Sequence, residues 1–99
     1  MAYRLTQAAA QDVVDIYRLG LARFGVRQAD AYHALLERSF RYLSDNPLAA
    51  RERLEISPPV RIHPVQAHLV IYQRQADGDI LIVRVRHGHE DWADPVSQD

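Results

Sequence analysis

The sequence predicts an α+β fold in the order β-α-α-β-β-β, with an antiparallel helix hairpin packed on one face of a small, mainly antiparallel sheet. Apolar residues recur at helical spacing through most of residues 7–45, and the period changes to two beyond Val60. An Asp-Gly pair, Asp77-Gly78, then separates the last two apolar runs, which is a strong hairpin signal. A chain of 99 residues is too short to divide its apolar residues between two stable cores. It is therefore expected to form one domain over 1–99, ending in an acidic tail at 88–99.

Taken in order, Tyr3-Arg4-Leu5 alternates and tolerates an extended conformation, and Thr6 after it suits a helix N-cap, its hydroxyl taking an orphan amide of the next turn. Ala9, Val13, Ile16, Tyr17, Gly20 and Phe24 then form one stripe, giving a first helix over roughly 7–24 with Gly25 as its C′ residue. After a link Val26-Arg27-Gln28, a second stripe of Ala29, Tyr32, Leu36, Phe40 and Leu43 carries a helix to about Asp45. Asn46-Pro47 stops it, because the residue before proline is pushed out of the helical region. So short a link favours an αα-hairpin.

Residues 47–59, with Pro47, Pro58, Pro59 and Arg51-Glu52-Arg53, read as an exposed connection. Val60 and Ile62 alternate with Arg61 and His63 in a short strand that Pro64 closes, and His68–Gln73 and Asp79–Arg86 are the two strands of the final hairpin. Strict alternation in the last strand would put Leu81, Val83 and Val85 under the helices. Ile80, Ile82, Arg84 and Arg86 would then lie on the outer face. A surface mixing isoleucine with arginine is more apolar than solvent requires and more charged than a core permits, which marks Ile80, Ile82, Arg84 and Arg86 as a surface for a partner.

Composition excludes several classes of function. There is no cysteine, hence no disulfide framework and no thiolate metal site. All twelve basic side chains are arginine, so no reaction that needs a lysine of shifted pKa is open to this chain. The start has no apolar run of signal-peptide length and no segment is long enough to span a membrane, which reads as a cytoplasmic protein without membrane association. Net charge is near zero but unevenly placed. Residues 50–87 carry six arginines against four acids, whereas 88–99 hold Glu90, Asp91, Asp94 and Asp99 with no arginine or lysine. His87 and His89, with Asp91 beyond, fall on one side of an extended segment, but two imidazoles without a third ligand at a fixed metal-site spacing are read as a solvated or hydrogen-bonding pair, with no metal and no cofactor. Trp92 suits a packing lid or an interface anchor.

Several segments in the same order carry a resemblance: Tyr3-Arg4-Leu5-Thr6, Asp15-Ile16-Tyr17, Tyr42-Leu43-Ser44-Asp45-Asn46-Pro47, Val70-Ile71-Tyr72 and Ile82-Val83-Arg84-Val85-Arg86-His87-Gly88. Together they resemble the ParE toxin family, within the RelE/ParE superfamily of type II toxin–antitoxin systems. The resemblance implies a toxin that inhibits DNA gyrase by protein binding. It also implies a cognate antitoxin with a ribbon-helix-helix DNA-binding part, whose C-terminal segment wraps the toxin and through which alone operator DNA is reached. The antitoxin or target surface would be Ile80, Ile82, Arg84, Arg86 and Trp92. The alternative that the superfamily implies is a ribosome-dependent mRNA endoribonuclease of the RelE type. For that chemistry the chain lacks lysine and carries His68 where several RNA-cleaving relatives carry arginine. Its candidates are His87 as general acid or base with Arg61 and Glu55 as helpers.

Overall fold

The computed structural model describes residues 2–88. Seven elements follow one another: β1 (Tyr3–Leu5), α1 (Gln7–Phe24), α2 (Val26–Asp45), β2 (Glu52–Arg53), β3 (Val60–Val65), β4 (His68–Arg74) and β5 (Ile80–His87). The strands form a five-stranded mixed sheet in the order β1-β5-β4-β3-β2, in which β1 runs parallel to β5 and the other pairs are antiparallel. The expected helix hairpin lies on one face of this sheet.

Three boundaries differ from the sequence reading. The helices are joined by Gly25 alone, because α2 begins at Val26 rather than after Gln28. Gly25 has φ 89° and ψ 173°, a region that only glycine occupies without strain, which makes a one-residue turn between two long helices possible. Pro64 lies inside β3 instead of ending it. The short strand β2 in the connection was not expected; it pairs with the first two residues of β3.

Local signals explain the rest. Thr6 caps α1, accepting from the amide of Ala9 at 3.0 Å, while its hydroxyl donates to the carbonyl of Val83 at 2.7 Å. The helices approach closely near their junction, where a Cβ on Gly20 would sit 3.4 Å from that of Ala29. The core is built by Leu36, Phe40 and Leu43 of α2 against Val65, Val70, Tyr72, Ile80, Ile82 and Val85 of the sheet, with Ala9 the contribution of α1. Tyr72 is fully buried, yet its hydroxyl is satisfied. It donates to the carbonyl of Pro47 at 3.0 Å and accepts from the amide of Ala50 at 3.4 Å, tying the 47–59 connection to the sheet.

The last strand corrects the face assignment. Ile80 and Ile82 are both 0% exposed and belong to the core, and Val85 joins them, whereas Val83 is only half-buried. The cause is an irregularity of register. Arg84 lies opposite Ile71 and Ile82 opposite Tyr72, so Val83 is one extra residue in β5. The bulge reverses the alternation midway and lets the strand bury Ile80 and Ile82 before it and Val85 after it. The outer face carries Ile62, Leu69, Ile71 and Leu81 by register, with Arg86 opposite Leu69.

Candidate functional site

Beyond Ile82, β5 has no further partner residue in β1, and α1 takes over that edge. The amide of Thr6 donates to the carbonyl of Ile82 at 3.0 Å. Further along, Asp12 accepts from the amide of Val85 at 2.9 Å and from Arg84 through Nε at 2.7 Å and a terminal nitrogen at 2.9 Å. The Arg84 fork is thus used inside the molecule, in a bidentate pair that fixes α1 to the bulged strand. Burial raises the pKa of Asp12, but the Arg84 hydrogen bonds, the Val85 amide and the charges of Arg84 and Arg86 together outweigh it and hold the carboxyl below its ordinary value.

Above this latch, the second half of α1 diverges from the sheet and leaves a groove of about 390 Å³. Val13, Ile16, Leu19 and Phe24 of α1 form one wall and Tyr32, His33 and Leu36 of α2 another. Gln66 and Ala67 of the β3–β4 turn, with His68 and His87, close the end. Leu19 is 52% exposed and Phe24 62%, so this wall is apolar surface left open to water.

The polar end of the groove is a cluster drawn from three elements. The phenol oxygen of Tyr32 lies 3.2 Å from the carbonyl of Val65 and 2.6 Å from Nδ1 of His68. A hydroxyl has one proton, so the phenol donates either to the Val65 carbonyl, with Nδ1–H of His68 donating to it, or to an unprotonated Nδ1 of His68. His87 lies directly across from His68 on the neighbouring strand, their rings edge-on with centroids 5.4 Å apart. Burial raises the pKa of Tyr32, keeping the phenol neutral.

The residues proposed from sequence are dispersed by the fold. Ile80 and Ile82 are core and offer no surface. Arg84 is held by Asp12, Arg86 lies on the outer sheet face, and Trp92, like His89 and Asp91, lies outside the described residues. His87 is in the groove, but Arg61 is at the other end of the sheet, where it donates to the carbonyl of Ala50 at 2.6 Å. The register puts roughly 13 Å along the strands and two strand spacings, roughly 10 Å, between Arg61 and His87. Glu55 is exposed in the connection beside Arg53 at 3.5 Å, and hydrogen bonding to its own backbone, then Arg51 and Arg53, keeps its pKa low. The three nuclease candidates are therefore not brought together. Sequence reading missed Tyr32 with His68 as site residues, and missed Asp12 entirely. The usable signal for His68 was hairpin register, which needs the bulge to set it opposite His87 and not Arg86. Among the described residues no cluster of three or more His, Asp or Glu could hold a metal ion.

The fold and groove together define the class: a helix hairpin on a mixed sheet in the β-α-α-β-β-β order of RelE/ParE-like proteins, with the two-residue β2 added as a fifth strand at its edge. The family profile "ParE toxin of type II toxin-antitoxin system, parDE" matches residues 3–92. The chain is 32% identical over 89 residues to Toxin ParE1 of Mycobacterium tuberculosis, in both the CDC 1551 / Oshkosh and the H37Rv strains, covering 90% of this chain and 91% of the relative. A solved structure described as the chromosomal ParDE TA system from P. aeruginosa superposes with a TM-score of 0.74 at 22% identity, over 88% of this chain and 95% of the other. The chain belongs to the ParE toxin family of type II toxin–antitoxin systems.

Proposed function

We propose that this ParE-type toxin arrests growth by binding DNA gyrase, and that a cognate antitoxin neutralises it by laying an acidic, apolar C-terminal segment along the groove between the helix hairpin and the sheet. The observation that carries this reading is the groove itself: an open apolar wall at Leu19 and Phe24, with Arg23, His33, His68 and His87 in its lining and no carboxylate among the described lining residues. Such a surface fits a folding-on-binding segment that buries apolar side chains and pairs its acids with cations at the rim. The antitoxin segment extends to Arg86 on the outer sheet face, and a ribbon-helix-helix part of the antitoxin carries operator binding. Both partners are cytoplasmic. No helix among the described residues is long and apolar enough to cross a membrane.

Protein binding is favoured over RNA cleavage because His87 has neither Arg61 nor Glu55 beside it, and proton transfer to a phosphodiester needs acid, base and phosphate ligand within hydrogen-bond reach. The deciding experiment is induction of the toxin, followed by assay for cleaved gyrase–DNA complexes and for cleaved messages. Gyrase–DNA complexes are expected; cleaved messages without them would transfer the protein to the RelE-type reading. His87→Gln separates the mechanisms a second way, since it should leave growth arrest intact in a binding toxin but slow a histidine-dependent nuclease by roughly 10²–10⁴-fold. Antitoxin binding by the variant controls for folding.

A further inference from the structure

The turn between the two helices leaves no loop to fold over its neighbours. Gly25 is the whole link, and its backbone serves both helices: its amide donates to the carbonyl of Leu21 at 3.2 Å and its carbonyl accepts from the amide of Ala29 at 3.1 Å. The close approach of Gly20 to Ala29 holds the two helices together just behind it. Phe24 and Val26, on either side of Gly25, are therefore carried outward on a rigid tip, 62% and 63% exposed. The charges around them have one sign. Residues 16–29 hold Arg18, Arg23 and Arg27 and no acid, all three arginines are exposed, and among the described residues no ion pair engages any of them. Asp30, the next acid along the chain, accepts from the Tyr17 hydroxyl at 2.5 Å.

We propose that this tip, Phe24 and Val26 flanked by Arg23 and Arg27, seats the toxin on an acidic protein surface of its target, which under the preceding functional reading, on which this rests, is gyrase. The apolar exposure decides between protein and nucleic acid. A DNA backbone offers phosphates to arginine but keeps its bases stacked, leaving Phe24 and Val26 in water, whereas a protein surface covers both side chains and pairs the guanidinium groups with carboxylates. Aromatic and arginine side chains are also the types on which interface energy concentrates, and a rigid turn presents them without the cost of ordering a loop. A second copy docked tip to tip would set like charges against each other. Arg23 and Phe24 line the groove as well, but Val26 and Arg27 do not. The two seats thus share residues without coinciding, and an antitoxin lying in the groove neutralises by covering Arg23 and Phe24.

The test uses the full chain and intact gyrase, and reads the toxin concentration that gives half-maximal accumulation of cleaved gyrase–DNA complexes. Affinity for a peptide of the antitoxin's C-terminal segment is measured in parallel. Val26→Ser with Arg27→Glu should raise that concentration roughly tenfold or more while changing peptide affinity by less than about twofold. Arg27→Glu places an acid in the first turn of α2, which favours the helix, so loss of action is not loss of fold, and urea unfolding verifies this. Phe24→Ser should weaken both interactions. A double variant as potent as the wild type overturns the proposal, as does one that loses the antitoxin peptide in equal measure, because the tip is then only an extension of the groove. Binding of duplex DNA without gyrase, lost in the double variant, puts nucleic acid on the tip and overturns it too. A wild type that yields no cleaved gyrase–DNA complexes at all sinks the functional reading and takes the gyrase seat with it, whereas an active wild type matched by its variant sinks the seat alone.

Discussion

The two helices have similar length and similar apolar stripes, yet they do different work. α2 buries Ala29, Leu36, Phe40, Leu43 and Ser44, whereas α1 buries Ala9 alone. Val13 and Ile16 of α1 are half-buried, and Leu19 and Phe24 further along stand open to water. α2 is thus held by packing, its apolar face pressed on the middle of the sheet. α1 is held mainly by polar attachments in its first two turns, from Thr6 and Asp12 to the edge of β5, and its second half projects as one wall of the groove. An amphipathic stripe therefore shows which face of a helix avoids water but not whether the chain itself supplies the cover.

The contrast gives a graded set of expectations. The largest effect is on the packed helix. Phe40→Ala should cost about 3–5 kcal/mol in urea unfolding, because the ring is buried between α2 and the sheet and lies against Tyr3 with centroids 5.5 Å apart. A loss below about 1 kcal/mol would break the contrast between the helices.

Asp12→Ala attacks the polar attachment of α1. It leaves the Val85 amide and the Arg84 fork without their acceptor, at about 1–2 kcal/mol, a range discounted because Arg84 is partly in solvent. The pH dependence follows from the lowered pKa. Asp12 stabilises the fold fully above its unfolded value near 3.8, and that contribution is lost as pH falls through the still lower folded value. Stability of the wild type should therefore decline in acid below about pH 4 more steeply than that of Asp12→Asn. Parallel acid profiles would mean that the latch does not secure α1.

Tyr72→Phe keeps the buried ring and removes only the hydroxyl that holds Pro47 and Ala50. About 1 kcal/mol is expected, with faster proteolysis confined to the 47–59 connection. The smallest effect on stability belongs to the groove wall. Leu19→Ser with Phe24→Ser should change unfolding free energy by no more than about 0.5 kcal/mol, yet weaken antitoxin binding severalfold in calorimetry. Unaltered binding would move the antitoxin's seat off α1.

The sequence revealed most of the fold because periodicity reports burial and burial dominates these elements. The stripe of α2, the Thr6 cap, the Asn46-Pro47 stop and the Asp77-Gly78 turn were all legible for that reason. What escaped notice lacks a periodic trace. Glu52-Arg53 is too short and too exposed to look like a strand, and Val26 to Gln28 are exposed helix at a hairpin tip. The face of β5 was misread because alternation assumes an unbroken pleat, and one extra residue at Val83 exchanges the faces. The site was less legible still. Tyr32, His68 and His87 come from three elements and meet only through register, and Asp12 meets Arg84 across 72 residues of chain.

That distance has a consequence for how the protein is made. β1 pairs with β5, Tyr3 opposite Ile80, so the first strand to leave the ribosome waits for the last before it has a neighbour. Until β5 emerges, α1 has no strand edge to join, Leu36 and Phe40 have no complete sheet to pack on, and the groove has no His87. Contacts of such sequence separation form late, after the entropy of closing the long loop has been met. The attachment of α1 and the groove beside it are therefore completed only in the last step of folding, when β5 joins β1.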